Sequence, residues 1–253
     1  KAVRLLAKMP TIITSAWRFC EGKEAIQPLP ELSLAENFFY TLFGEKPDAL
    51  TAKAFDTSLI LYAEHGFNAS TFCGRVAVST LSDMHSGICA AIGTLKGPLH
   101  GGANEEAMKM LLEIGDAENA EAWIMDALAT KKKIMGFGHR VYKNGDTRAP
   151  ILKKLGRELC DAKGEGKWAD MAAIVEAVMM REKNIHPNVD FPTSYIYYVM
   201  GLPIHIYTPI FAAARLSGWA AHIIEQLDHN RLIRPKSLYN GPGPQQYVPI
   251  NER

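Results

Sequence analysis

Apolar residues recur at helical spacing along most of the chain. In the segment 48–65, four of them fall near one face of a helix, namely Leu50, Ala54, Leu59 and Tyr62. Five further segments have a helical pattern or helix-start and helix-stop residues, and these are 103–115, 117–133, 148–160, 168–184 and 210–227. Alternating apolar and polar runs, which are typical of half-buried strands, are nearly absent. The pattern therefore predicts an all-α protein.

Short polar residues precede some of these segments and can cap helices. Asp116 is expected to cap the helix that follows it, and Asp146 or Thr147 is expected to cap the segment 148–160. Asp190 precedes the segment "PTSYIYYVMG" and could serve it in the same way. These side chains therefore have a structural interpretation beside any chemical one.

Glycine and proline are concentrated in three stretches, Gly97–Gly102, Gly136–Gly145 and His186–Pro192. We expect all three to be loops between helices. Loops held by rigid elements are where binding and catalytic residues are most often found. Each of the three stretches contains one candidate catalytic residue.

Composition and charge narrow the class of protein. The chain has 253 residues, and 47% of them are hydrophobic, which is enough for one large domain or two smaller ones. Since 28 basic residues nearly balance 27 acidic ones, the chain lacks the charge of a general nucleic-acid-binding protein. The most apolar region is interrupted by Pro203, Pro209 and Arg215, so we expect no membrane span.

The cysteines and the first residues indicate the compartment. The opening "KAVRLLAKMP" lacks the apolar core and cleavage site of a secretory signal. The four cysteines are widely spaced and form no C-x-x-C motif: Cys20, Cys73, Cys89 and Cys160. We therefore expect buried thiols without a disulfide framework, and a reducing, cytoplasmic location.

The first candidate is His100, in the stretch "GPLHGGANE". Its glycine neighbours remove side-chain bulk, so a ligand can approach the backbone closely. The predicted helix that starts near Asn104 directs its positive end at this loop, which favours a neutral imidazole that can donate a hydrogen bond. The alternative from the residues alone is a histidine in a tight surface turn.

The second candidate is His139, in "GFGHRVYK". The two glycines can present backbone N–H groups to a ligand, and Lys143 and Arg148 give the loop anion-binding potential. A dinucleotide-binding fingerprint is not present, because Val141 stands where the third glycine belongs and no strand precedes the motif. No P-loop motif occurs either, and an ordinary glycine-rich turn is the alternative.

The third candidate is Asp190, in "HPNVDFP", whose apolar neighbours would raise its pKa and make it a stronger base. Arg215 lies in an apolar helical segment, where a buried arginine needs either a substrate carboxylate or an internal Asp or Glu. His65 and Arg234 are further polar candidates, with a helix-end histidine and a solvated arginine as their ordinary interpretations.

A metal site is the competing class of chemistry. The eight histidines and four cysteines include no H-x-H motif, no H-E-x-x-H motif and no Cys/His pair at ligand spacing. We therefore expect no metal centre, which also argues against a metal-dependent hydrolase.

Six motifs, in order, resemble those of the citrate synthase family and extend over nearly the whole chain. They are "HGFNASTF", "GPLHGGANE", "GFGHRVYK" followed by "DTRA", "NVDF", "TPIFAAARLSGWAAHIIEQ" and "RLIRPKS". The resemblance implies an all-α homodimer that condenses acetyl-CoA with oxaloacetate and water, giving citrate and CoA through an enol or enolate, without a metal or other cofactor. The alternative within the family is 2-methylcitrate synthase, which uses propionyl-CoA.

The resemblance implies roles for the candidates. His100 would stabilise the enol or enolate, His139 would bond the oxaloacetate carbonyl, and Asp190 would remove the methyl proton. The residues that would hold oxaloacetate are His65, His100, His139, Arg148, Arg215 and, from the partner subunit, Arg234. The residues that would contact CoA are Ile134, Gly136, Phe137, Gly138 and Lys143.

The resemblance also implies a two-domain subunit. Residues 103–191 would form a small domain inserted between two parts of a large one, 1–102 and 192–253, with His100 and Asp190 at the crossings. Family members carry a further helical segment ahead of the matched region, so an inactive fragment and a non-catalytic helical binding module are the alternatives of another class. The retained catalytic trio argues against the binding module.

Two positions depart from the family pattern. Thr147 stands where the family has a proline between the aspartate and the arginine, and Pro192 follows "NVDF" where a tyrosine is common. Neither is a predicted catalytic residue, and both could alter substrate preference.

Overall fold

The computed structural model describes all residues, 1–253, and consists of helices and connecting segments. The eleven α-helices are α1 Ala2–Cys20, α2 Leu34–Phe43, α3 Ala49–Tyr62, α4 Ala69–Ser79, α5 Met84–Leu95, α6 Ala103–Ile114, α7 Ala120–Ala129, α8 Ala149–Ala162, α9 Gly166–Lys183, α10 Asp190–Val199 and α11 Tyr207–Asp228. Three 3₁₀ turns are Ala117–Asn119, Ile204–Ile206 and Ile250–Glu252. No sheet forms, and one isolated bridge joins Phe137 to Pro187. The predicted all-α class is confirmed.

Side-chain caps fix the starts of four helices. Ser33 and Glu36 form a capping box at α2, and Asp48, Asn68 and Asp83 cap α3, α4 and α5. Each side-chain oxygen accepts a backbone N–H that has no partner inside the helix. The cap at Asn68 matters most for the site, because it fixes the start of α4 three residues after His65.

One predicted cap is wrong, and the other is confirmed in part. Asp116 makes no side-chain bond to the 3₁₀ turn that follows it, and that turn separates it from α7. Arg148, the residue before α8, makes no side-chain cap, but Asp146 Oδ1 accepts the backbone N–H of Arg148 at 3.0 Å. The same carboxylate also pairs with the guanidinium of Arg148, and Thr147 makes no capping bond.

The predicted loops agree with the structure except at one end. The stretch Gly97–Gly102 joins α5 to α6, and Gly136–Gly145 lies between α7 and α8. The third stretch, His186–Pro192, is a loop only as far as Val189, because Asp190 begins α10. Asp190 therefore stands in the first turn of a helix, and it makes no side-chain cap there.

The longest helix, α11, organises the packing. It contacts α1, α3, α4, α5 and α6, while α10 packs against α6 and α8. Residues on all sides of α11 are buried, which explains its apolar composition. No helix of the structure has the length and apolar composition needed to cross a membrane.

Of the two predicted domain boundaries, the one after residue 102 lies at the start of α6, and the one after residue 191 lies inside α10. The buried apolar side chains form one continuous cluster that includes helices from both predicted domains. The division into a large and a small domain stays a prediction.

A glycine brings α11 against the end of α3. The backbone N–H of Gly218 donates to the carbonyl of Ala63 at 3.1 Å. A Cβ atom at Gly218 would lie 2.4 Å from that carbonyl oxygen, so any larger residue would move the helix away. This contact holds the segment that leads directly to His65.

The cysteines are free thiols, and the expectation of burial is wrong for three of them. Only Cys160 is buried, whereas Cys73 is half-buried and Cys20 and Cys89 are exposed. The exposed pair lies on the solvent-facing sides of α1 and α5 in this chain.

Candidate active site

A cavity of about 880 Å³ opens where the three predicted loops meet α10 and α11. Most predicted site residues line it, namely His65, His100, Ile134, Gly136, Phe137, Gly138, His139, Arg148, Asp190 and Arg215. Lys143 instead lines a neighbouring cavity of about 270 Å³. Arg234 is exposed on the extended C-terminal segment and lines neither cavity of this chain.

His139 and His65 form a hydrogen-bonded pair with a defined tautomer. The backbone N–H groups of Val141 and Tyr142 donate to His139 Nδ1 at 3.0 and 3.2 Å, so this nitrogen carries the lone pair. The proton of neutral His139 is then on Nε2, which lies 2.9 Å from His65 Nε2. His139 therefore holds an N–H that a ligand carbonyl could accept in place of His65.

His100 is held by a serine that the sequence analysis did not single out. Its Nε2 lies 2.9 Å from the hydroxyl oxygen of Ser70, which also accepts the indole N–H of Trp219 at 3.0 Å. The single hydroxyl proton has two acceptors in reach, His100 Nε2 and the side-chain oxygen of Asn68. Donation to His100 places the ring proton on Nδ1, the nitrogen that is left for a ligand.

Burial favours the neutral form of all three cavity histidines. Burial lowers the pKa of His100 to about 4, with help from the charge of Arg215. Burial lowers the pKa of His65 to about 4 as well, followed by the charge of Arg148, and burial lowers the pKa of His139. The neutral state expected for His100 thus agrees with the structure, but burial is the main cause rather than the helix dipole.

The carboxylate of Asp190 is largely removed from contact with water. Burial raises its pKa from the ordinary 3.8 to about 6, although Tyr62, Arg148 and Arg215 oppose this shift. The phenol of Tyr62 donates to Asp190 Oδ1 at 2.6 Å. The side chain remains partly accessible from the cavity, so it can act as a base there.

Arg215 and Arg148 give the cavity positive charge. Arg215 is 2% exposed, donates from Nε to the carbonyl of Tyr62 at 2.6 Å, and has no partner for Nη1. No Asp or Glu side chain forms an ion pair with Arg215, so its Nη1 is available to an anionic ligand. Arg148, by contrast, is paired with Asp146 at 2.7 Å. Burial lowers the pKa of Arg215 to about 10, and the charges of Glu64 and Asp190 oppose this shift.

Several hydrogen bonds join the segment before Asp190 to its neighbours. Asp146 Oδ2 accepts the N–H of Val189 at 3.2 Å, in addition to the guanidinium of Arg148. The side-chain amide of Asn188 donates to the carbonyl of Gly138 at 3.0 Å, and its side-chain oxygen accepts the N–H of Asp190 at 3.0 Å. The arginine, the glycine loop and the base therefore share one network.

Gly136 packs directly against the start of α10. Its φ angle is +80°, and a Cβ atom there would lie 2.8 Å from Phe191 Cβ and 3.0 Å from Phe191 Cα. Both the backbone conformation and the space thus require glycine. The carbonyl of Gly136 also accepts the N–H of Asn188 at 2.9 Å, so the loop contacts the chain on both sides of Asp190.

A family model described as citrate synthase, C-terminal domain, matches residues 1–236. The chain belongs to the citrate synthase family. It is 53% identical over its full length to citrate synthase 2 of Bacillus subtilis (strain 168), of which it covers 68%. It is 48% identical, over 95% of its length, to a 2-methylcitrate synthase of Mycobacterium tuberculosis, of which it covers 61%.

A solved citrate synthase from the thermophilic archaeon Thermoplasma acidophilum, in ternary complex with carboxymethyl coenzyme A and oxaloacetate, has the same fold. The TM-score is 0.93 at 43% identity, covering 100% of this chain and 68% of that one. This chain thus spans about two thirds of the length of its relatives. Family membership makes it a citrate-synthase-type transferase, which condenses an acyl-CoA with oxaloacetate.

Sequence reasoning missed four groups that support this citrate synthase site. Ser70, Tyr62, Asp146 and Asn188 each bond a predicted residue or its backbone. Three of them, Ser70, Asp146 and Asn188, lie inside the motifs quoted above, so their nearness in sequence to the candidates could have indicated a role. Tyr62 reaches Asp190 across 128 positions of the chain, and no local pattern reveals that contact.

The basic residues at the cavity were predicted only in part. Lys133 and Arg140 line it, whereas Lys143, which was expected to contact CoA, lines the adjacent cavity. No group of three or more His, Cys, Asp or Glu side chains is arranged to hold a metal ion.

Proposed function

We propose that this citrate synthase condenses acetyl-CoA with oxaloacetate and water to give citrate and CoA, without a resident cofactor. The observation that supports the proposal is the chemistry collected in one cavity. Neutral His100, a buried carboxylate at Asp190 and Arg215, whose Nη1 has no protein partner, face the same space. The methyl group of acetyl-CoA is a weak acid, so its deprotonation needs a base and a hydrogen-bond donor. Oxaloacetate is a ketone with two carboxylates, which a guanidinium can bind.

The first step is proton removal from the acyl methyl group. A carboxylate cannot remove so weakly acidic a proton unaided, and burial makes Asp190 a stronger base than an exposed aspartate. His100 donates its Nδ1 proton to the developing enolate oxygen in the tautomer in which Ser70 turns its hydroxyl proton from Asn68 to His100 Nε2. A preorganised donor of this kind contributes about 10²–10³ in rate.

The second step is attack of the enol or enolate on the ketone. His139 releases its Nε2 bond to His65 and donates to the oxaloacetate carbonyl, which increases the electrophilicity of that carbon. Arg148 and Arg215 bind the carboxylates, with His65 beside them. Hydrolysis of the resulting thioester then releases CoA.

The glycine loop after α7 receives the CoA part of the substrate. Ile134, Gly136, Phe137 and Gly138 line the cavity and offer backbone close to the thioester. Lys143 contributes positive charge for phosphate groups from the adjacent cavity.

We propose a cytoplasmic homodimer in which residues 103–191 move as a small domain. Arg234 supports the dimer, since it is exposed and lies outside the cavity of its own chain. In the dimer it reaches the oxaloacetate site of the partner subunit. The cleft between the domains then closes over oxaloacetate.

Thiol release tests the proposed reaction. With oxaloacetate present, the protein should release CoA from acetyl-CoA, and a thiol reagent measures this continuously. Propionyl-CoA is the matched comparison, because the chain has relatives named citrate synthase and relatives named 2-methylcitrate synthase. One methylene changes kcat/KM by about 10–200-fold, so the ratio assigns the substrate. Absence of oxaloacetate-dependent release with either thioester would refute the proposal.

Closure of the cleft predicts that the two substrates bind cooperatively. Oxaloacetate should raise the affinity for a non-reactive CoA thioether by about 5–150-fold, the usual range of coupling between sites. Calorimetric titration with and without oxaloacetate measures the coupling, and His139→Ala should weaken it. Equal affinities in the two titrations would contradict closure.

A further inference from the structure

Asp190 has a single side-chain hydrogen bond in the protein. The phenol of Tyr62 donates to Oδ1 at 2.6 Å, and Oδ2 accepts no protein donor. The two oxygens of the carboxylate are therefore unequal. One is occupied by a donor from α3, and the other is free for a ligand in the cavity.

Tyr62 cannot readily turn away from this bond. It is the last residue of α3, its side chain is fully buried, and its ring packs edge-on against Phe211 at a centroid distance of 4.3 Å. Its carbonyl accepts the Nε proton of Arg215 at 2.6 Å. One residue thus touches both the proposed base and a guanidinium proposed to bind oxaloacetate.

We propose that Tyr62 is the positioning residue of the base: its phenol holds Oδ1 of Asp190 and leaves Oδ2 as the oxygen that removes the acyl proton. The inference rests on the proposed function. In the step, the α-carbon–hydrogen bond breaks and the proton forms a bond to Oδ2. The electron pair of the broken bond forms the carbon–carbon double bond, and the carbonyl π pair moves to the oxygen bonded by His100.

The charges around Asp190 show why a neutral donor is useful there. Arg148 and Arg215 lower its pKa, and Asp146 raises it together with burial. Burial raises the pKa of Tyr62 well above its ordinary value, so the phenol keeps its proton at neutral pH. Tyr62 therefore stabilises the carboxylate form without adding a third positive charge beside Arg148 and Arg215.

The test compares Tyr62→Phe with a matched control, Tyr197→Phe. Tyr197 is equally buried and also loses one hydroxyl bond, to Ser58 at 2.9 Å, but it makes no hydrogen bond to Asp190. Loss of a donor to a carboxylate should move the acid limb of the kcat/KM–pH profile upward by about 1–2 units. Activity on that limb then falls about 10–100-fold, whereas Tyr197→Phe should leave the limb in place.

A direct titration separates this inference from the proposed function. ¹³C-NMR of labelled aspartate, with the Asp190→Asn spectrum for assignment, measures the midpoint of Asp190 without turnover. The midpoint should rise in Tyr62→Phe and stay unchanged in Tyr197→Phe. Site-specific 3-fluorotyrosine at position 62, a stronger donor in the same space, should lower it, which keeps the test available if the phenylalanine variant does not fold. An unchanged midpoint overturns the role of Tyr62, whereas absent thiol release by the unsubstituted protein refutes the reaction.

Discussion

Asp190→Asn is expected to remove oxaloacetate-dependent thiol release while leaving oxaloacetate binding nearly unchanged. The amide is close in size to the carboxylate but cannot accept the acyl proton, and a general base contributes about 10²–10⁴ in rate. Thiol release and calorimetric titration of oxaloacetate measure the two properties. Asp56→Asn, an exposed change on α3, is the matched control and should be fully active. Near-normal turnover by Asp190→Asn would remove this residue from the mechanism.

The same substitution is expected to stabilise the fold at alkaline pH. The folded-state pKa of Asp190, about 6, lies above its ordinary value of 3.8, so ionisation penalises the folded state. This penalty is absent below about pH 4, grows between about pH 4 and 6, and is complete above that. Partial access to the cavity reduces it, and a gain of about 1–3 kcal/mol is expected at pH 8. Urea unfolding at pH 4 and pH 8 measures it, and a gain that is equal at both would contradict burial as its cause.

Recovery of activity in mixed dimers of two inactive variants is the second large effect that we expect. If Arg234 acts in the partner's site while Asp190 acts in its own, Arg234→Ala and Asp190→Asn should each be nearly inactive alone. In a mixed dimer, one site of the two has both groups. Random pairing makes about half the dimers mixed, so co-expression should restore roughly a quarter of the wild-type activity.

The control replaces a neighbouring arginine on the same segment. Arg231→Ala should be active by itself, since this arginine has no assigned role in either site. If Arg234 serves its own subunit, every site in every dimer lacks one group. Co-expression would then give no recovery above the separate variants, and the assignment in trans would be wrong.

The sequence was most informative where chemistry and local pattern coincide. His100, His139 and Asp190 stand in glycine- or proline-rich stretches, and the structure brings all three to one cavity. Periodicity also located helices such as α9, whose apolar face is regular. The capped helices α2, α4 and α5 were not predicted, because their apolar faces are short and their limits depend on caps such as Asp83.

Contacts between distant segments could not be predicted. The bond from the N–H of Val189 to Asp146 joins segments 43 positions apart. The bond from Tyr62 to Asp190 depends on how α3 packs beside α10. Burial, which determines the pKa of each group in the site, is a property of that packing and has no local signature in the sequence.

Because Gly136 packs directly against Phe191, a substitution at either position affects the other. A change at Gly136 that adjusts the loop proposed to receive the acyl-CoA also displaces Phe191, beside Asp190, because no Cβ atom fits between them. Under the proposed function, one substitution at this position would therefore change substrate range and turnover together. Substitutions of cavity-lining side chains that make no such contact are a more direct route to a new acyl specificity. We expect enzymes of this family that use different thioesters to have glycine at the position of Gly136.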